Sequence, residues 1–144
     1  MTIEEIIFHF DNTYRGDPWY GKSIFEILSG LDEESPFVLQ ILLHMLAWRK
    51  YSIAKMEERV IRIENDSEED WPTPLDHSYK QVLKEFDETQ EKITDLLKSK
   101  DRTWLSTMVP GTKFTFETLM KGIVDHDIYH IGQIALLQKL DSGS

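Results

Sequence analysis

The chain has 144 residues, 40% of them apolar, which suits one domain with one core. It carries 26 acidic against 16 basic residues, a formal charge of -10, which argues against nucleic acid and anionic membranes as partners. There is no cysteine, so disulfides, thiolate nucleophiles and thiolate metal ligands are all excluded.

The opening Met1-Thr2-Ile3-Glu4-Glu5 has no basic segment followed by an apolar core, which predicts no secretory signal. The longest apolar stretch, near Ile41 to Trp48, is too short to span a bilayer. A cytoplasmic protein is expected. Thr2, with Glu5 three residues on, is a capping-box pattern and starts a helix over 2–15. Its apolar stripe is Ile3, Ile6, Ile7, Phe10 and Tyr14, and Gly16 and Pro18 end it. Ser23 to Leu28 reads as a short extra helical turn. Ser35-Pro36, a cap followed by proline, starts a second long helix over 36–63. The acidic stretch Glu64 to Asp70 reads as a solvated linker ending in Trp71-Pro72. Thr73-Pro74 repeats the cap-plus-proline signal and starts a third helix over 74–99. Trp104 to Phe116, with Pro110-Gly111 as a turn, reads as a small hairpin or an ordered loop. Thr115 caps a fourth helix over 115–140, with Leu119, Ile123, Ile134 and Leu137 as its stripe. Four amphipathic helices in a single domain, 1–144, predict an all-α four-helix bundle.

The fourth helix carries Asp125-His126-Asp127-Ile128-Tyr129-His130-Ile131-Gly132-Gln133. His126 and His130 are four apart, so they sit one above the other on a helix face, and that face is the apolar stripe. His44 faces inward on the second long helix, with Phe37, Gln40, Ile41, Ala47, Trp48 and Tyr51 as helical neighbours. Read singly, such a histidine is a hydrogen-bonded core residue. Three inward imidazoles from two helices satisfy one another by sharing a divalent cation. Three neutral ligands leave coordination positions open, the pattern of a catalytic site more than of a closed structural one. Imidazole-only ligation suits Zn, Ni, Fe or Cu better than Mg or Ca. His9 and His77 fall off the apolar stripes and read as surface or boundary residues. Asp127 gives H-D-x-x-H, one methylene short of the zincin motif, but only residues 131–144 follow and they hold no histidine. It reads as a solvated helix carboxylate. Gln133 reads as a ligand-orienting donor or as polar filler. Gly132 weakens the helix by roughly 1 kcal/mol relative to Ala, which a close helix contact would explain.

These residues resemble the DinB-like (damage-inducible) superfamily of metal-binding four-helix bundles. The likeness rests on His44 in Leu43-His44-Met45-Leu46-Ala47-Trp48 and on the H-x-x-x-H-x-G-Q pattern of His126, His130, Gly132 and Gln133. It rests also on the run Tyr14 to Ile24, similar to a subgroup of that family. Ile131 stands where many members carry Arg, which argues against an anion contact from that position. The resemblance implies an up-down-down-up helix order and a divalent metal, often Zn or Ni, held by the three histidines. It implies relatives among thiol S-transferases that use bacillithiol or mycothiol, and many members that form homodimers.

The expected function is therefore a metal-dependent enzyme, a thiol S-transferase with a low-molecular-weight thiol as cosubstrate and a small-molecule substrate. The alternatives are a metal-dependent hydrolase, or a non-catalytic protein whose metal staples two helices. A homodimer is expected on the further ground that Trp19, Tyr20, Trp71 and Trp104 lie outside the helix stripes and need cover.

Overall fold

The computed structural model describes residues 1–31 and 35–142. Six helices occur in it: α1 (Ile3–Arg15), α2 (Ile24–Ser29), α3 (Pro36–Met56), α4 (Tyr79–Lys98), α5 (Arg102–Leu105) and α6 (Phe116–Ser142). The only β-structure among the described residues is one isolated bridge between Met108 and Thr115. No helix among them is long and apolar enough to cross a membrane.

The capping signals explain most of the boundaries. Thr2 Oγ1 accepts the Glu5 N–H at 3.1 Å, and its hydroxyl lies 3.2 Å from Glu5 Oε1. Ser23 and Asp101 cap α2 and α5 in the same way. Two boundaries differ from the sequence reading. α3 stops at Met56, well short of Ile63, because Glu58 adopts a left-handed conformation with φ 59°. The Arg59 N–H then reaches the Ala54 carbonyl and the Glu58 N–H reaches that of Lys55, the bond pair of a Schellman motif. The usual glycine marker is missing there, so the stop was hidden. α4 starts late, with Ser78 as its cap. Thr73 turns out not to cap it: its N–H and hydroxyl both go to the Glu68 carboxylate, and Asp76 (φ 63°) interrupts the chain before Ser78.

Side-chain contacts set the helix directions. Ser35 N–H donates to the Tyr79 hydroxyl near the starts of α3 and α4, and Lys92 pairs with Glu57 towards their far ends, so α3 and α4 run parallel. Gln90 donates to Asp11 and Arg15 pairs with Asp87, so α1 runs antiparallel to α4. The Met1 ammonium pairs with Glu117 at the start of α6, and Gln138 near its end reaches Gly30 behind α2, so α1 and α6 run parallel. The order is up-down-down-up. Parallel neighbours cannot be joined by a tight turn, so residues 57–78 form a crossover that runs back along the bundle. Before α6, Pro110-Gly111 forms a turn with Gly111 at φ 78°, where only glycine sits without strain, and the Lys55 ammonium donates to the Pro110 carbonyl.

The core has two apolar parts. One gathers Tyr14, Ile24, Leu42, Met45, Phe86 and Ile134, and the other Ile6, Phe10, Ile53, Ile93, Leu97 and Met120. A buried polar layer sits between α3, α4 and α6 where these parts meet. Its centre is Arg49, whose Nε donates to Asp127 Oδ2 at 2.9 Å. Its other nitrogens donate to Thr89 Oγ1 at 3.2 Å and Gln90 Oε1 at 2.9 Å.

Candidate metal centre

α3 and α6 cross so that His44 meets His126 and His130. The ring centroids lie 4.9 Å (His44–His126), 4.7 Å (His44–His130) and 4.5 Å (His126–His130) apart. One ligand nitrogen from each ring lies within 4.8 Å of the others, and this is the only such His, Cys or carboxylate group among the described residues. His44 and His130 are buried, at 5% and 6% exposure, and His126 is half-buried. His9 and His77, also half-buried, stay outside the group.

The outer nitrogens decide which inner ones are free. His44 Nδ1 lies 2.6 Å from the Asp70 carbonyl oxygen and 3.1 Å from Asp70 Oδ1. Both oxygens only accept, so Nδ1 carries the proton and Nε2 keeps its lone pair. His130 Nδ1 faces Gln133 Oε1 at 2.7 Å, with the same result. His126 Nε2 lies 3.1 Å from His44 Nε2. That separation falls between the edges of an octahedral and a tetrahedral shell, about 2.9 and 3.3 Å for bonds near 2.05 Å. His126 Nδ1 is buried without a hydrogen-bond partner among the described residues. Three imidazole nitrogens converging on one point, with the His126 Nε2 proton as the one a metal would displace, fit a divalent cation.

Burial and neighbouring rings disfavour the protonated forms of His126 and His130. Burial first, then the neighbouring His130 and His44 rings, push the His126 pKa down from 6.5 to about 4. Burial and the charge His44 would carry also lower that of His130, against a rise from its Gln133 bond. Unfolded histidines take up protons near 6.5, whereas folded His126 does so only near 4, so the unfolded state binds more protons between these values. Stability falls as pH falls through that window. The melting temperature of metal-free protein is expected to drop already between pH 6.5 and about 5, above the carboxylate range, and to drop less in His126→Gln. Parallel profiles for the two proteins would contradict this.

Several side chains are placed differently from the sequence reading. Asp127 is not a solvated carboxylate: it is 1% exposed and ion-paired to Arg49. Burial raises its pKa, and the Arg49 charge and hydrogen bond oppose that rise. Asp70 is not part of a solvated linker: it is buried beside His44. Burial would raise its pKa, but the hydrogen bonds from the Asp66 N–H and the Trp48 indole outweigh that and hold it low. Trp71 stacks face to face on His44, with centroids 3.7 Å apart and planes 2° from parallel. Trp104 stacks on Phe116 at 4.3 Å. Two of the four aromatics expected to need cover are thus covered within the chain, while Trp19 is 100% exposed. Phe37 also points outward. A Cβ added to Gly132 would meet nothing within 4 Å, so no close helix contact accounts for it.

A groove of about 1030 Å³ opens beside α6, walled by Tyr20, Ile27, Val38, Ile128, Ile131 and Gly132 among others, and none of the three histidines lines it. Ile131 is buried there against the core.

A profile of the DinB superfamily matches residues 32–134, well over half of the chain and including all three histidines. The chain belongs to the DinB superfamily. No curated protein and no solved structure matches it. Within this DinB chain, buried His44 and His130 and half-buried His126 form a group that can hold a metal ion.

Proposed function

We propose that the protein is a divalent-metal-dependent enzyme, with Zn or Ni as its metal, that transfers a low-molecular-weight thiol to a small electrophile. The observation that carries this reading is the convergence of three ligand nitrogens from α3 and α6 within 4.8 Å of one another. His44, His126 and His130 would hold the ion through Nε2. When bound, such an ion supplies Lewis acidity that makes a cosubstrate thiol a stronger nucleophile at neutral pH. The chain has no cysteine, so the thiol comes from outside. Its own residues, Asp70 at His44 and Gln133 at His130, hold these rings with their inner nitrogens aimed at one point. Half-buried His126 and exposed Tyr129, edge-on to His130, are the least buried rings at the cluster, and a small molecule would approach past them. Water in place of the thiol would make the same site a hydrolase.

A second reading also has an observation behind it. His44 and His130 are almost fully buried, and the large groove opens elsewhere. That favours an ion that only staples α3 to α6. The deciding experiment is metal analysis of untagged protein, then thiol titration of the Co(II)-substituted form and a turnover screen with thiols and esters. A spectral change with thiol supports the enzyme. A metal that no thiol or anion reaches, and whose removal lowers only the melting temperature, supports the staple.

We also propose that the protein self-associates as a homodimer. Trp19 is fully exposed, and Tyr129, Leu136 and Leu140 form an exposed apolar stripe on α6. Sedimentation velocity at tens of micromolar is expected to give a dimer, and a monomer would remove the proposal.

A further inference from the structure

We propose that Asp70 and Trp71, brought to the site by the crossover connection, are positioning residues for His44, an inference that rests on the metal reading of the three histidines. His44 is the one ligand supplied by α3, so its ring orientation decides whether the three nitrogens converge. Asp70 fixes the ring's proton. Its carbonyl oxygen, 2.6 Å away, accepts from Nδ1, and Oδ1 lies 3.1 Å from the same nitrogen, which leaves Nε2 as the only ligating atom. Trp71 fixes the ring's plane, lying within 2° of parallel at 3.7 Å. A flip of His44 about its terminal torsion would break the Nδ1 contact, and a quarter turn would break the stack as well.

Asp70 is itself held. The Trp48 indole donates to Oδ1 at 2.8 Å, and the Asp66 N–H donates to Oδ2 at 2.8 Å. Asp70 N–H in turn donates to the Ser67 carbonyl at 3.2 Å. Both carboxylate oxygens therefore accept donors in a buried place, which favours the ionised form. An imidazole that donates its outer N–H to a backbone carbonyl, with a carboxylate beside it, is a better electron donor at the inner nitrogen. The anion also offsets part of a dication's charge, which three neutral rings leave in full. The partners of the other two ligands differ: Gln133 is neutral, and His126 Nδ1 has none among the described residues. His44 is thereby the ligand most strongly supported by the protein. The bundle's topology makes this possible, because parallel α3 and α4 require a connection that passes back along the histidines.

The test compares wild type, Asp70→Asn and Trp71→Leu in the full-length protein, by Zn(II) competition against a chromophoric chelator and by the visible spectrum of the Co(II) form. Asp70→Asn, which removes the anion and keeps the backbone carbonyl, is expected to weaken Zn(II) by roughly tenfold, the lower end of what altering a ligand's outer shell does. Its Co(II) bands should shift. Trp71→Leu should weaken binding roughly threefold to tenfold, the scale of one lost aromatic stack. If wild type binds Zn(II) tightly while Asp70→Asn keeps the same affinity and Co(II) spectrum, the proposal is overturned, and Asp70 only anchors its loop. If wild type binds no metal, the metal reading itself fails, and this inference falls with it. A measurement on unaltered protein guards against variants that do not fold. Long-range ¹H–¹⁵N correlation of metal-free wild type should show His44 protonated at Nδ1. Protonation at Nε2, the tautomer free imidazole side chains favour, would overturn the assignment of Asp70.

Discussion

Replacing Arg49 with methionine is expected to cost about 3–5 kcal/mol of folding stability, because it leaves the Asp127 carboxylate buried without its counter-charge. Arg49 and Asp127 are each 1% exposed, so water cannot take over. The bond from Arg49 Nε to Asp127 Oδ2, at 2.9 Å, is one of three from the guanidinium, and the others join it to Thr89 and Gln90 on α4. Lysine carries the charge but not this fork, so Arg49→Lys should also destabilise, by less than Arg49→Met. For a domain of this size, whose whole stability is on the order of 5–15 kcal/mol, Arg49→Met approaches unfolding at physiological temperature.

The double variant Arg49→Met with Asp127→Leu separates the pair's own worth from the damage of breaking it. Asp127 Oδ1 has no hydrogen-bond partner among the described residues, so the native pair is imperfectly satisfied. An apolar pair of similar volume should therefore recover more than half of the lost stability. It will not recover all of it, because Gln90 Oε1 loses its donor from Arg49. Urea denaturation of the four proteins measures this directly. Single and double variants of equal stability would mean that the pair carries little charge-specific energy.

This polar layer marks the limit of what the sequence made legible. The helices were readable because caps and apolar periodicity are local: Thr2 with Glu5, and the stripe from Leu119 to Ile134, state their elements within a turn or two. The histidine group was readable for the same reason, since a spacing of four on an apolar face determines direction. Asp127 was misread because a carboxylate is ordinarily solvated. The contrary signal was present: Ile123, Val124 and Ile131, its neighbours at three and four residues, are all buried. Arg49 likewise stands among Met45, Leu46, Ser52 and Ile53 on a helix buried on most of its faces. Asp70 had no such signal. It lies 26 residues from His44 along the chain, in a connection without periodicity, and only the parallel arrangement of α3 and α4 brings it back.

Removing any one of the three histidines is expected to weaken the metal by more than about 100-fold, beyond the range for loss of an outer partner. Geometry makes the three contributions interdependent. His44 alone bridges from α3, so His44→Ala removes the cross-link and leaves two ligands one turn apart on α6. His130→Ala leaves His44 and His126 with Nε2 atoms 3.1 Å apart, still able to grip an ion from two sides, but weakly. His126→Ala removes the ligand nearest solvent, and with it the edge at which an added thiol would approach. The expected result is that thiols perturb the Co(II) spectrum of wild type and leave that of His126→Ala unchanged at equal metal loading. Acid should act on the intact site in the same direction as ligand loss, because protons compete for the ligating nitrogens. The low His126 pKa, about 4, delays that competition at this ring. Retention of stoichiometric metal at unchanged affinity in His130→Ala would remove His130 from the ligand set and take the three-histidine assignment with it.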